Sequence, residues 1–257
     1  MLHHLLRGRG DMVTLLHGFT QRGASWDEVV SLLPSRWSFL TPDLPGHGQS
    51  GDEGATMEET AAALVDLWDR LGVARTHLAG YSLGGRLALY TAALHPDRIR
   101  SLVTIGAHAG FTGEVRTRRA EEDRRLAEEI ERRGVEWFAE DWGRRPLFAG
   151  LARRGPAYLE DVRARRGANR ASGLAASLRG MGGGATEPFW NRLDRISAPT
   201  LLVAGAEDER YVAMAGRLAE HIPGAGTAIV PDSSHVVHME QPGAFAQLLA
   251  RHLQDHA

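Results

Sequence analysis

The chain has 257 residues, 43% of them hydrophobic and 24% charged, with a formal net charge of -2. That balance suits one large globular domain, or a domain with an insertion, and supplies no basic field for nucleic acid or an anionic membrane. Cysteine is absent, which excludes disulfides and thiolate metal sites, and all 30 Lys/Arg positions are arginine. No apolar run reaches the roughly 18 residues of a spanning helix. The opening MLHHLLRGRG lacks a signal peptide's apolar stretch, so a cytoplasmic protein is expected.

Short apolar runs alternate with helical spacings along the chain. MVTLLHG (12–18) reads as a buried strand, followed by the helical SWDEVVSLL and the strand WSFLTPD (37–43). TMEETAAALVDLWDRLG is helical, HLAGYS (77–82) a strand, LGGRLALYTAALHP a helix and IRSLVTIGA (99–107) a strand. After a break come the strand APTLLVAG (198–205), the helix AMAGRLAEHIP, the strand GTAIVPD (226–232) and a last helix. This alternation predicts an α/β fold, a mostly parallel sheet with helices on both faces. The break, 109–190, is helical and charged with no convincing strand, and the glycines of GLAASLRGMGGGATEP should end a helix. It predicts a cap inserted into a core made of 1–108 and 191–257.

Gly80-Tyr81-Ser82-Leu83-Gly84 fits G-x-S-x-G between a strand and a helix, the setting of a nucleophile elbow. A serine hydroxyl needs a base, and the base needs an orienting acid. Asp208, after TLLVAG, takes the acid position, with Glu207 and Glu209 as solvated neighbours. His235, after TAIVPD, takes the base position, with His238 its one close rival; His47 and His95 read as turn and helix-end residues. An anion developing on substrate oxygen calls for aimed N–H groups, which the strand-ending His17-Gly18-Phe19 and the elbow place on Phe19 and Leu83. His17 itself is expected to brace its loop.

Arg86 is the anomaly of this stretch. It falls in the first helical turn on the serine's face, where a cation opposes the helix dipole at a cost of about 0.3–1 kcal/mol. Either it receives a substrate anion or it pairs with a cap carboxylate.

From LLHGFTQRGASW through PDLPGHGQS to the C-terminal helix, the chain resembles the alpha/beta-hydrolase superfamily. The arginine of GYSLGGR, the run RRAEEDRRLA, the stretch EDWGRRPLFAG and the run SLRGMGGGA make it similar, more narrowly, to the 2-succinyl-6-hydroxy-2,4-cyclohexadiene-1-carboxylate synthases of menaquinone biosynthesis. The resemblance implies a lyase in which the triad removes a proton and pyruvate is eliminated, with Ser82 as base rather than acylated nucleophile. It implies arginines on the substrate carboxylates at Arg86, Arg119 and Arg166, with Arg118 and Arg124 as neighbours of the second. It implies aromatic contacts from Tyr81, Trp142 and Phe148. Trp137 is expected to pack the cap. The region before MVTLL is short, so the first hairpin of the sheet should be trimmed. A small polycarboxylate substrate is expected, with no metal or organic cofactor, no nucleic-acid or membrane partner, and a monomer or small homo-oligomer. The rival reading is a serine hydrolase for a carboxylated ester or for the C–C bond of a vinylogous diketone. A non-catalytic binder would have no need of the full triad.

Overall fold

Apolar residues occupy both side-chain parities of the central strands, and a strand of that kind must be covered on both faces. The computed structural model, which describes residues 1–257, shows this arrangement. In chain order the elements are β1 (His4–Gly8), β2 (Asp11–Leu16), α1 (Asp27–Leu32), β3 (Trp37–Pro42), α2 (Met57–Arg70), β4 (Thr76–Tyr81), α3 (Leu83–Leu94) and β5 (Ile99–Ile105). Then follow α4 (Gly113–Arg133), α5 (Val135–Gly143), a 3-10 segment Pro146–Arg154, α6 (Pro156–Gly167) and α7 (Ala171–Met181). The chain closes with β6 (Thr200–Gly205), α8 (Glu209–Ala219), β7 (Gly226–Val230), α9 (Val237–Glu240) and α10 (Pro242–Asp255).

The seven strands lie in the order β1-β3-β2-β4-β5-β6-β7, all parallel except β1. The trimmed edge expected from the sequence is a single strand, and β1 pairs with β3 rather than with its chain neighbour β2. Alternation along the strands sends Val13, Leu15, Ala79, Tyr81, Val103 and Val203 to one face, with Val29 of α1 and Phe245 of α10. Leu16, Leu78, Leu102 and Leu202 go to the other, against Leu64 of α2, Leu87 of α3 and Leu218 of α8. Each Val, Leu or Phe among these contributes about 1.5–3 kcal/mol by leaving water. No helix is long and apolar enough to cross a membrane.

Between β5 and β6 the chain forms helices and no strand. Its charge is largely consumed within α4, where Arg119–Asp123, Arg124–Glu128 and Arg125–Glu121 pair at i,i+4. Helix α7 stops at Met181 with Gly182 as its cap, where the glycine run predicts a stop.

Helix α2 shows how local sequence sets a boundary. Glu59 N–H donates to Thr56 Oγ1 at 3.2 Å while Thr56 N–H donates to Glu59 Oε2 at 2.8 Å, a reciprocal cap that satisfies two otherwise unbonded donors. Thr56→Ala should cost about 1 kcal/mol of unfolding free energy in urea titration, with turnover unchanged.

Candidate active site

Ser82 has φ 50 and ψ -107, a left-handed backbone that a serine adopts only when its surroundings impose it. They do so through the close approach of α3 to β4 and to the end of β2. A Cβ on Gly80 would lie 2.3 Å from Gly84 O, and one on Gly84 would lie 2.3 Å from Leu16 O. Only glycine at both positions permits this approach. Ser82 N–H donates to Ile105 O at 2.8 Å, and Arg86 N–H donates to Ser82 O at 2.9 Å, so sheet and helix grip the residue from opposite sides.

The chain brings the acid and base to this serine from the ends of β6 and β7. His235 Nδ1 lies 2.7 Å from Asp208 Oδ2, and His235 Nε2 lies 3.2 Å from Ser82 Oγ. With Nδ1 protonated toward the carboxylate, Nε2 is free to accept the serine proton. Asp208 also caps α8, accepting from Tyr211 N–H at 3.3 Å, which fixes its second oxygen. The rival His238 has no such reach. Both its ring nitrogens are buried without a hydrogen-bond partner, and its ring packs 4.5 Å from Trp26 and from Tyr81. Burial lowers its pKa to about 3, so it is a neutral packing group.

The loop after β2 supplies the first predicted oxyanion donor. Phe19 and Leu83 both line the cleft, and neither N–H donates to another group of the protein. Two neutral histidines hold this loop. His17 accepts from Leu44 N–H at 2.9 Å through Nε2, and its Nδ1 lies 2.8 Å from Gly18 O, the bracing role expected of it. His47 Nε2 accepts from Thr20 N–H at 3.2 Å, so the residue read as a turn position is also a brace. From the cap, Asn169 donates to Thr20 O at 2.9 Å and accepts from Gly48 N–H at 3.1 Å.

Above the triad lies a cleft of about 190 Å³. Ser82, His235, Phe19, Leu83, Arg86, Arg119 and Trp142 line it, as the sequence reading expects. Arg86 is 7% exposed and donates to Met181 O at 2.6 Å, Gly182 O at 3.3 Å and Thr186 Oγ1 at 3.1 Å. The alternative of a pairing with a cap carboxylate is therefore not what the chain uses. Two of the three partners are carbonyls at the C-terminal end of α7, the negative end of a helix dipole, and the third is the Thr186 hydroxyl. Burial lowers the Arg86 pKa to about 10, which leaves it a cation at neutral pH. Arg119 faces the cleft with Asp123 at 3.0 Å, and Asp123 in turn accepts from Gly184 N–H at 3.2 Å.

Three expected contacts do not line this cleft. Tyr81 and Phe148 belong to the apolar core behind it, where Phe148 meets Trp142 at 5.7 Å. Arg166 is turned by α6 onto the Phe148 ring, 4.8 Å away, and borders a separate cavity of about 20 Å³ beside Thr20 and Gln21. Conversely, Arg145, Arg210, Tyr211 and His108 line the cleft without having been singled out in the sequence. Arg145 lies 4.1 Å over Trp142 and 3.6 Å from Asp141, while Arg210 lies 5.2 Å from the Phe111 ring. The available signal for Arg210 was its place two residues after the acid. The lining of the cleft thus carries four guanidinium groups and one carboxylate, Asp123, while Asp141 and Glu122 approach Arg145 and Arg119 from outside it at 3.6 and 3.7 Å. No group of three His, Asp or Glu side chains is arranged to hold a metal ion.

Comparison with known proteins identifies the fold and the family. A family model for the alpha/beta hydrolase fold matches residues 11–242. A Bacillus subtilis (strain 168) protein provisionally named 2-succinyl-6-hydroxy-2,4-cyclohexadiene-1-carboxylate synthase is 34% identical over 250 residues, covering 95% of this chain and 90% of its own length. The synthase of that name from Pectobacterium atrosepticum is 32% identical over 235 residues, covering 90% and 89%. Among solved structures, MenH from S. aureus superposes with a TM-score of 0.93 at 28% identity, covering 100% of this chain and 99% of that one. A malate-bound esterase from Thermogutta terrifontis gives 0.88 at 28% identity, covering 100% and 94%.

Burial of the bracing histidines has a consequence for stability. It lowers the pKa of His17 to about 4 and that of His47 to about 3, whereas an unfolded histidine titrates near 6.5. Below pH 6.5 the unfolded chain therefore takes up protons that the native state refuses until about pH 4 or 3. Stability should fall with pH across that window, by about 1 kcal/mol per histidine at pH 5.5, as read from urea midpoints. His47→Gln, which keeps an acceptor for Thr20 N–H, should flatten the dependence.

Proposed function

The chain belongs to the alpha/beta-hydrolase fold family and, within it, to the 2-succinyl-6-hydroxy-2,4-cyclohexadiene-1-carboxylate synthases, and on that premise we propose how its own residues conduct the reaction. It is a lyase of menaquinone biosynthesis acting on a small substrate, the succinyl-enolpyruvyl-hydroxycyclohexene carboxylate. A ring proton leaves and its C–H electron pair is held first as an enolate; as the pair returns to the ring, the C–O bond to the enolpyruvyl group breaks and the ring becomes a conjugated diene. The departing group takes a proton and becomes pyruvate.

The proton acceptor is Ser82 Oγ, whose own proton passes to His235 Nε2 at 3.2 Å while Asp208 steadies the imidazolium from Nδ1 at 2.7 Å. Charge released from the C–H bond moves onto substrate oxygen, where the N–H groups of Phe19 and Leu83 meet it. Neither N–H has a partner within the protein, which supports this role.

The observation that carries this reading is the excess of guanidinium in the cleft. A substrate with several carboxylates needs several cations, and arginine offers planar, two-pronged pairing in a partly dry site. Arg86 is available because its present partners are neutral oxygens. Arg210 sits beside Tyr211, whose ring is 4.5 Å from His235, which puts it at the reacting end. Arg119 and Arg145 serve the cap side, and Trp142 covers the ring. Phe148 and Arg166 back the wall that Trp142 forms, and Tyr81 packs beneath His235. A small polycarboxylate handled without nucleic acid or membrane fits a cytoplasmic setting.

Pyruvate release from the succinyl-enolpyruvyl cyclohexene substrate tests the reading. Ser82→Ala should lower kcat by about 10²–10⁴-fold. A protein that releases no pyruvate and instead hydrolyses simple esters rapidly would be a serine hydrolase, using the same triad for nucleophilic attack. Arg86→Ala should lower kcat/KM by roughly 10²-fold with the fold retained, since it removes one partner of a charge-assisted pair. Arg86→Lys should recover little, because a point charge does not replace the planar fork.

A further inference from the structure

The triad base stands on a loop of irregular backbone, and such a loop needs something to hold it. Immediately after His235 the chain turns through α9, which ends on Glu240, a carboxylate 1% exposed. Its oxygens turn back toward the base. Glu240 Oε2 accepts from Ser234 N–H at 2.7 Å, and Oε1 accepts from Val236 N–H at 3.0 Å and from Ser234 Oγ–H at 2.6 Å. The residues on either side of His235 are thus bound by the two oxygens of one buried group. Nothing in the triad account uses Glu240.

Two further observations tie the carboxylate to the cap. A Cβ on Gly150 would lie 1.8 Å from Glu240 Oε2, so the 3-10 segment Pro146–Arg154 rests directly on it. From the end of that segment Arg153 donates to Asp232 O at 3.0 Å, pairs with Glu207 beside the triad acid, and lies 3.8 Å from Glu240 Oε2. Glu207 N–H in turn donates to Ser233 O at 3.0 Å. Acid loop, base loop and cap segment meet at this point.

We propose that Glu240 is the positioning residue of the base: its carboxylate sets the backbone of residues 234–236 so that His235 faces Ser82 and Asp208 together, and the cap segment over Gly150 holds that carboxylate down. The inference rests on the reading of His235 as the triad base. Three donors converging on one group call for an ionised carboxylate, which only accepts. A glutamine would keep one accepting oxygen and turn an NH₂ toward a donor. The two flanking amides could not then both be satisfied, and the imidazole would shift.

The test compares wild type, Glu240→Gln and Gly150→Ala, the last crowding the same carboxylate from outside. Displacing a reacting group by about 1 Å can cost about 10²-fold, so kcat should fall on the order of 10²-fold in Glu240→Gln. KM, set by the arginines, should stay near the wild-type value. In proton NMR without substrate, the downfield resonance of the His235 Nδ1 proton in its bond to Asp208 should shift or broaden in both variants. Wild-type kcat together with an unmoved resonance in Glu240→Gln would overturn the proposal. If that variant does not fold, the same result in folded Gly150→Ala overturns it. The resonance needs no turnover, so a wild-type protein that releases no pyruvate counts against the synthase reading and leaves this inference to be decided by the spectra.

Discussion

Ser82 holds φ 50 because β4 and α3 cross too closely for any other path, and this one backbone constraint organises the rest of the site. It turns the hydroxyl away from the helix, leaves the Leu83 N–H without a partner inside the protein, and starts α3 so that Arg86 falls one turn further on the same side. Strain of this sort persists only where packing over-determines it. Here it is over-determined by the Ile105 carbonyl on one side and the Arg86 N–H on the other. The loops after β6 and β7 then need only bring Asp208 and His235 to a position already set.

Around that point the electrostatics divide into two kinds. The histidines that brace the loop after β2 are buried and neutral, and they act as hydrogen-bonding struts. Of the four arginines of the cleft, Arg119 and Arg145 have a carboxylate within 4 Å, and Arg86 and Arg210 have none. Arg86 is satisfied by carbonyls, Arg210 lies near aromatic rings, and Asp123 engages Arg119 while also binding the glycine run. A cleft with surplus positive charge favours a guest that brings its own anions over a neutral ester.

Much of this was legible in the chain itself, for reasons that differ by residue. Ser82, Asp208 and His235 could be read because each follows a strand of distinctive apolar pattern, and strand ends in a parallel sheet converge. Arg86 stood out because a cation in the first turn of a buried helix is locally unfavourable. The cap was harder. Its helices are rich in arginine at every register, so spacing does not say which side chains face inward; Arg166 turned to a wall and Arg145 to the cleft. Arg210 and Tyr211 escaped notice because the first turn of α8 reads as an ordinary helix start. Glu240 was invisible for another reason: its role lies in backbone amides, which no side-chain pattern reveals. The pairing of β1 with β3 was hidden likewise, since a five-residue run does not declare its neighbour.

The grip of Arg86 on the end of α7 has a thermodynamic corollary. The guanidinium that would receive a substrate anion is the same one that fastens the insertion to the core, so ligation and fastening are not independent equilibria. Whatever a guest's anion does to that fastening, the fastening must do to the guest, by the same factor. Thr186, which touches no reacting atom but shares the guanidinium with Met181 and Gly182, is thereby placed to tune affinity from outside the chemistry.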